Sequence, residues 1–265
     1  MAEQVTFSSL SPEHKQWFRR QMRERGIPVL QIPLDKQPRD GNGLPLSYSQ
    51  ERLWLMEQLG GTASSYHLHQ AIRITGAVKK DHLEASLRLL AASHESFRTS
   101  FTASEGKPQQ HIAADSAIPL LQDKVTGATE AERLHQVEQA AQPLLTQPFD
   151  LGRPPLLRAG LYELAEDDHM LVFVIHHIVA DGWSLRLLTE EWVQLYNVLC
   201  KGLNPPHNHR AYDYADYACW QREWMQAEML TEGLHYWKRA AGGRRSFLYN
   251  SFILPAPALA DLGRR

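Results

Sequence analysis

The sequence predicts an α/β fold in which helices pack against a mixed sheet. Two apolar periods alternate along the chain: Tyr66, Leu68, Ile72 and Ile74 share one parity, as in a half-buried strand, whereas Leu83, Leu87 and Leu90 fall at helical spacing. Ser47 with Gln50, and Thr129 with Glu132, have the spacing of capping boxes and mark helix starts. The run Met170–Ile175 is apolar without alternation, the pattern of a strand covered on both faces.

Taken in order, Ser11 as N-cap and Pro12 at the first helical position open a short helix to Arg25, stopped by Gly26. Lys15, Arg19, Arg20, Arg23 and Arg25 make it basic, and Trp17, Phe18 and Met22 form its only apolar stripe, the profile of a solvated helix. Pro28, Pro33, Pro38 and Pro45 with Gly41 and Gly43 then read as a linker, so the domain is expected to begin near Leu44. A helix follows from Ser47, a strand through Ile74 that ends at Gly76, a helix over Lys80 to Ser93, and strand-like pieces at Phe97–Phe101 and Gln109–Ile112. After the helix opened by Thr129, the apolar runs Leu156–Leu164 and Met170–Ile175 are joined by a short polar turn and are expected to pair antiparallel. His176, His177, a short apolar loop and Asp181-Gly182 lead to Ser184, read as the N-cap of a helix carrying Leu185, Leu188, Trp192, Leu195 and Leu199.

The composition is that of a globular protein able to fill a core, with 43% hydrophobic and 22% charged residues. With 28 basic and 30 acidic side chains the net charge is −2, which offers no global field for nucleic acid or an anionic membrane, so neither is an expected partner. The two cysteines, Cys200 and Cys219, form no CxxC pair and are expected to be buried thiols in a reducing compartment. The opening MAEQVTFSSL has neither a basic nor an apolar targeting region, and a cytoplasmic location is expected.

The chemistry concentrates in His176-His177-x-x-x-Asp181. On a helix, His177 and Asp181 would share a face and could hold a metal, but the β-branched run before them and the Asp-Gly turn after them oppose helix, and no third ligand is near. Two histidines hydrogen-bonded within a core are a second reading. General base catalysis is the third, since an imidazole with an ordinary pKa of about 6.5 suits proton transfer near neutrality. No GxSxG elbow is present, so direct transfer between two bound substrates is preferred over a covalent acyl-enzyme.

The segment Leu171 to Ser184 resembles the HHxxxDG signature of nonribosomal peptide synthetase condensation domains, members of the chloramphenicol acetyltransferase-like superfamily. Leu46 to Leu55 is similar to the family's first core motif, His94 to Phe101 to its second, and Tyr214 to Gln221 to its fourth. Gln147 to Ala159 matches the usual lead-in to the histidine strand, and together these stretches cover about Leu44 to Trp237. Plant-type and alkaloid acyltransferases share the HxxxDG core but usually lack the doubled histidine and the flanking motifs. Within the family the pattern is nearest to domains that join two L-configured residues.

The resemblance implies amide-bond formation between a donor peptidyl or aminoacyl thioester and an acceptor aminoacyl thioester. It implies no bound cofactor and no metal, because the substrates arrive on the phosphopantetheine of carrier proteins; the implied partners are those carriers and neighbouring synthetase modules. His177 corresponds to the catalytic histidine, and His176 to a residue that orients the loop or serves packing alone. Asp181 corresponds to a structural carboxylate that ordinarily pairs with an arginine, and Arg98 is expected either to support the Asp181 loop or to make an ordinary surface pair. Gly182 is expected to permit a tight turn and to offer its N–H to a developing negative charge. Arg52, Trp54, Trp220 and Gln221 look like fold positions.

Two departures stand out. Ser93 occupies the position before His94 where the family usually has arginine, and the second lobe that follows the fourth motif in family members is missing. The expected organisation is therefore a basic helix and Pro-rich linker over 1–43, an N-terminal condensation lobe over 44–238, and an atypical tail over 239–265 of the kind a frameshift or truncated gene produces. A docking or binding remnant without turnover, or an HxxxD acyltransferase of another branch, is the alternative function.

Overall fold

In a computed structural model, residues 10–25, 34–60, 64–205, 211–224, 234–235 and 238–239 are described. Gly26, Pro28, Pro33, Trp237 and the tail after Arg239 lie outside these residues. Met1–Arg222 forms one compact unit and Glu223–Arg265 a second. Little of the second unit is described beyond the contact of Arg239 Nε, which donates to the His235 carbonyl at 3.3 Å.

The elements run α1 (Pro12–Glu24), β1 (Leu44–Pro45), α2 (Tyr48–Gln58), β2 (His67–Thr75), α3 (Lys80–Ser93), a 3₁₀ turn (Glu95–Arg98), β3 (Thr99–Ser104), β4 (Lys107–Ile112), β5 (Leu120–Lys124), α4 (Glu130–Thr146), β6 (Leu157–Ala165), β7 (Asp168–His176), α5 (Gly182–Cys200) and α6 (Tyr214–Trp224), all of them in the first unit but for the last two residues of α6. Both capping boxes form: Ser47 with Gln50 opens α2, and Thr129 with Glu132 opens α4. Gly76, at φ 102°, makes the turn out of β2.

The larger sheet has the order β2-β7-β6-β5. Its first three strands pair antiparallel and β5 joins β6 in parallel, which makes the sheet mixed. A smaller sheet has the order β1-β4-β3. β7 is central and covered on both faces. Leu171, Phe173 and Ile175 pack with Leu83, Leu87 and Leu90 of α3 and Leu188, Trp192 and Leu195 of α5, while Val172 and Val174 pack with Val137, Ala141 and Leu144 of α4. Each such buried side chain contributes roughly 1.5–3 kcal/mol. Trp192 Nε1 donates to Ser86 Oγ at 3.0 Å, so the one polar atom this tryptophan brings into the core is satisfied and ties α5 to α3.

Several expectations are corrected. Residues 95–98 form a 3₁₀ turn and the strand begins only at Thr99. β1 and β5 carry no strand signal in the sequence; β1 has only two residues, and β5 is short and mostly exposed. Cys200 and Cys219 are only partly buried, Cys200 because it is the last residue of α5. Arg52 is exposed. The segment read as linker is tied to the lobe at Gln37 and Arg39: Arg39 Nη2 lies 2.9 Å from Asp216 Oδ1 on α6, and Arg39 Nε donates to Glu95 Oε2 at 2.9 Å.

Candidate active site

The histidine loop sits where β7 leaves the sheet. The β2–β7 register ends with His67 opposite His176, and the His177 amide adds one more rung by donating to the Tyr66 carbonyl at 2.7 Å. Directions alternate through the exit: His176 is 1% exposed, His177 is exposed, and Ile178 is buried in a third cluster with Leu46, Leu53, Phe101 and Leu156. The Val179 amide donates to the His176 carbonyl at 3.1 Å and closes a turn over His177. A fixed backbone thus presents an exposed imidazole, the arrangement a base or acceptor needs.

His176 is held at both ring nitrogens. Nδ1 accepts the Ile178 amide at 3.1 Å, and Nε2 faces Glu57 Oε1 at 3.1 Å. Burial pushes the His176 pKa down; Glu57 opposes that shift, while His67 and His177 add to it. Since Nδ1 accepts, the proton of the neutral ring resides on Nε2. Tyr66, His67 and Phe149 surround the ring, with centroids at 6.4, 6.1 and 6.1 Å. His67 is itself oriented by donation from Nδ1 to the Leu145 carbonyl at 2.9 Å, and its Nε2 is buried with no hydrogen-bond partner among the described residues.

The first and fourth motifs meet beneath this loop. Gln221 Oε1 accepts the Tyr48 amide at 2.9 Å, Arg222 Nε donates to the Leu46 carbonyl at 2.6 Å, and the Arg222 guanidinium stacks 4.0 Å over the Tyr48 ring and pairs with Glu51. Ser47 Oγ and the Tyr214 hydroxyl are 3.1 Å apart. The start of α2 is therefore clamped by α6, and its last turn carries Glu57 to His176.

Asp181, not Ser184, is the N-cap of α5. Its Oδ1 accepts the Ser184 amide at 2.8 Å and the Ser184 hydroxyl at 2.6 Å. Burial pushes its pKa up, but the two Ser184 bonds and the nearby His177 more than offset this and leave it below the ordinary value of 3.8. Among the described residues no arginine pairs with Asp181, so the expected ion pair is replaced by a cap. Arg98 does not reach the loop either; its Nη1 donates to the Ala113 carbonyl and its Nη2 lies 3.6 Å from Glu95. Gly182 is the first residue of α5, outside the left-handed region, and a Cβ there would meet nothing within 4 Å, so no tight turn depends on it. The helical His177–Asp181 face that metal binding would need does not form, because both residues precede the helix. Among the described residues no three potential ligands come together.

Glu57 and His67 are the site residues that sequence reasoning missed. Glu57 is 119 positions from His176 and reads as one more polar residue of a helix, and His67 reads as one polar position in an alternating strand.

A cleft of about 470 Å³ opens on the other side of the loop, lined by Val179, Ala180 and Ser184 together with His94, Glu191 and Tyr214. His94 Nε2 lies 2.8 Å from Glu191 Oε2 along its wall. The condensation domain family model matches residues 41–254. The chain belongs to the condensation domain family. Malpinin synthetase of Mortierella alpina is 35% identical over 221 residues, which are 83% of this chain and 3% of that protein. Phosphinothricin tripeptide synthetase PhsC of Streptomyces viridochromogenes is 32% identical over 257 residues, 97% of this chain and 24% of that one. Among solved structures, the X-domain in complex with OxyB from teicoplanin biosynthesis superposes with a TM-score of 0.67 at 28% identity, over 79% of this chain and 45% of that one. The first condensation domain of the calcium-dependent antibiotic synthetase gives 0.67 at 22% identity, over 77% and 48%, a likeness of fold. This condensation domain chain thus spans about half the length of the solved domains it matches and a small share of the synthetases. The mixed α/β lobe of the chloramphenicol acetyltransferase-like fold is what its relatives also show. No helix among the described residues is long and apolar enough to cross a membrane.

Proposed function

We propose that the chain contributes the histidine-bearing half of an amide-bond-forming site, in which His177 serves the attack of an acceptor aminoacyl thioester on a donor peptidyl or aminoacyl thioester. The observation that carries this reading is the exposed imidazole of His177 on a backbone fixed by the Tyr66 carbonyl and the buried Ile178. In the step, the acceptor α-amine forms a bond to the donor carbonyl carbon, the carbon–sulfur bond breaks, and the proton lost by the amine goes to the departing thiolate by way of the imidazole. A free α-amine has a pKa of about 7.7–8.0, so near neutrality a base or acceptor beside it raises the reactive fraction. Orientation of the two thioesters supplies much of the remaining acceleration. The Gly182 N–H, at the positive end of α5, is the proposed donor to the tetrahedral oxygen. Both substrates come on the phosphopantetheine of carrier proteins from neighbouring modules, in the cytoplasm, with no cofactor or metal bound by the lobe itself.

The test places this sequence in a complete two-lobed domain and supplies loaded donor and acceptor carriers. His177→Ala is expected to lower single-turnover formation of dipeptidyl thioester by about 10²–10⁴-fold. Near-normal product from that variant would overturn the assignment. The second reading, a docking lobe without turnover, predicts that the chain binds a carrier but yields no product in any assembly.

A further inference from the structure

We propose that Glu57 is a positioning residue of this site, setting through the ring of His176 the turn that presents His177. The proposal rests on the reading of His177 as the reacting histidine.

A ring that is 1% exposed and bonded at both nitrogens has one satisfactory tautomer. With the proton on Nε2, the Nδ1 lone pair meets the Ile178 amide; with the proton on Nδ1, two N–H groups would face each other across 3.1 Å. A carboxylate at Nε2 selects the first arrangement, as carboxylates fix histidine tautomers elsewhere. Ile178 is anchored in the core and Val179 bonds back to the His176 carbonyl, so the ring, the turn and the exit direction of His177 form one unit. Glu57 has a rigid base because α2 is clamped at its start by Gln221 and Arg222. Removing the carboxylate leaves a buried Nε2–H without its acceptor, and the ring then gains by turning away from Ile178.

The test uses side-chain and amide NMR of the complete two-lobed domain carrying this sequence, ¹⁵N-labelled at histidine and isoleucine. Unsubstituted protein is expected to show His176 as a single Nε2–H tautomer with a slowly exchanging Ile178 amide; an Nδ1–H tautomer overturns the proposal outright. Glu57→Gln keeps an acceptor oxygen and is expected to preserve both signatures. Glu57→Leu keeps the volume and the helix but is expected to mix the tautomers and speed Ile178 exchange on the order of tenfold. An unchanged tautomer and exchange rate in Glu57→Leu overturns the proposal. Should that variant not fold, Glu57→Asp, which draws the carboxylate back by one methylene, takes its place under the same criteria. In the two-lobed enzyme, Glu57→Leu is expected to lower kcat with little change in KM for the carriers, and Glu57→Gln to restore it. Product from His177→Ala with these NMR results intact would sink the catalytic reading alone, which keeps the two failures distinct.

Discussion

Arg39 reaches across from the segment before β1 to Asp216, whose side chain is entirely buried, with Arg39 Nη2 2.9 Å from Asp216 Oδ1. The same guanidinium holds Glu95, so one arginine joins the second and fourth motifs. Asp216 also accepts the amides of Gln37 and Asp213, at 2.9 and 2.8 Å. Arg39→Ala leaves the buried Asp216 carboxylate without its cation, while Glu95 keeps Arg98 at 3.6 Å, and breaking such a buried pair costs about 3–5 kcal/mol. Urea denaturation is expected to show that loss in the midpoint. A chain begun at Leu44, the boundary that the proline pattern suggests, is expected to lose as much. Equal stability of both variants would show the triad to be incidental.

The cap at Asp181 gives a second expectation, smaller than an ion pair would. Asp181→Ala removes a side-chain cap and is expected to cost about 0.5–2 kcal/mol, whereas Asp181→Asn, also a good N-cap, is expected to cost little. A carboxylate whose folded pKa lies below its unfolded value stabilises the fold above the unfolded value and loses that contribution as pH falls through the folded one. The difference between wild type and Asp181→Asn is therefore expected above about pH 4 and to shrink below it. A loss of several kcal/mol in Asp181→Asn would instead restore an ion pair to this carboxylate.

The helices are legible in the sequence because their starts are chemical. Ser47 and Thr129 are each followed by the N3 partner that a capping box needs, and α3 needs only its leucine spacing. The start of α5 is ambiguous because Asp181 and Ser184 are both capping types and Asp-Gly also reads as a turn, so local chemistry alone does not rank them. β5 is invisible because a short strand with four exposed positions shows no alternation. His177 and His176 are legible from their motif, but Glu57 is not. Its only signal is a contact between α2 and the end of β7, and no local pattern encodes a partner 119 residues away.

Gly182 offers a direct separation of backbone and hydrogen-bonding roles. It stands in the first turn of α5 with open space where a Cβ would go. Gly182→Ala is expected to stabilise the chain by about 0.4–1 kcal/mol, since it restricts the unfolded state without strain in the folded one, and to leave the N–H in place. Activity in the two-lobed enzyme is expected to be retained. Destabilisation would show that the turn needs glycine after all, and lost activity at unchanged stability would show that a substrate passes too close for a methyl group.

The chain Met1–Arg265 by itself is expected not to catalyse condensation. The solved relatives it superposes on are about twice as long, the chain covering 45% and 48% of two of them, so these 265 residues by themselves amount to about half of such a domain. An imidazole open to water on one side loses the orientation of two thioesters that makes their encounter effectively intramolecular. The helices adjoining the histidine loop also carry exposed apolar side chains, Trp183 at 65% and Leu187 on α5, and Leu55 and Leu59 at the end of α2. Apolar surface of that kind drives association in water. Light scattering is therefore expected to show self-association of the purified chain, and mass spectrometry to find no dipeptidyl thioester when loaded donor and acceptor carriers are supplied. Product that depends on His177 from a monodisperse monomer would show that one lobe is enough, and would relocate the second substrate to the cleft between Val179 and Tyr214.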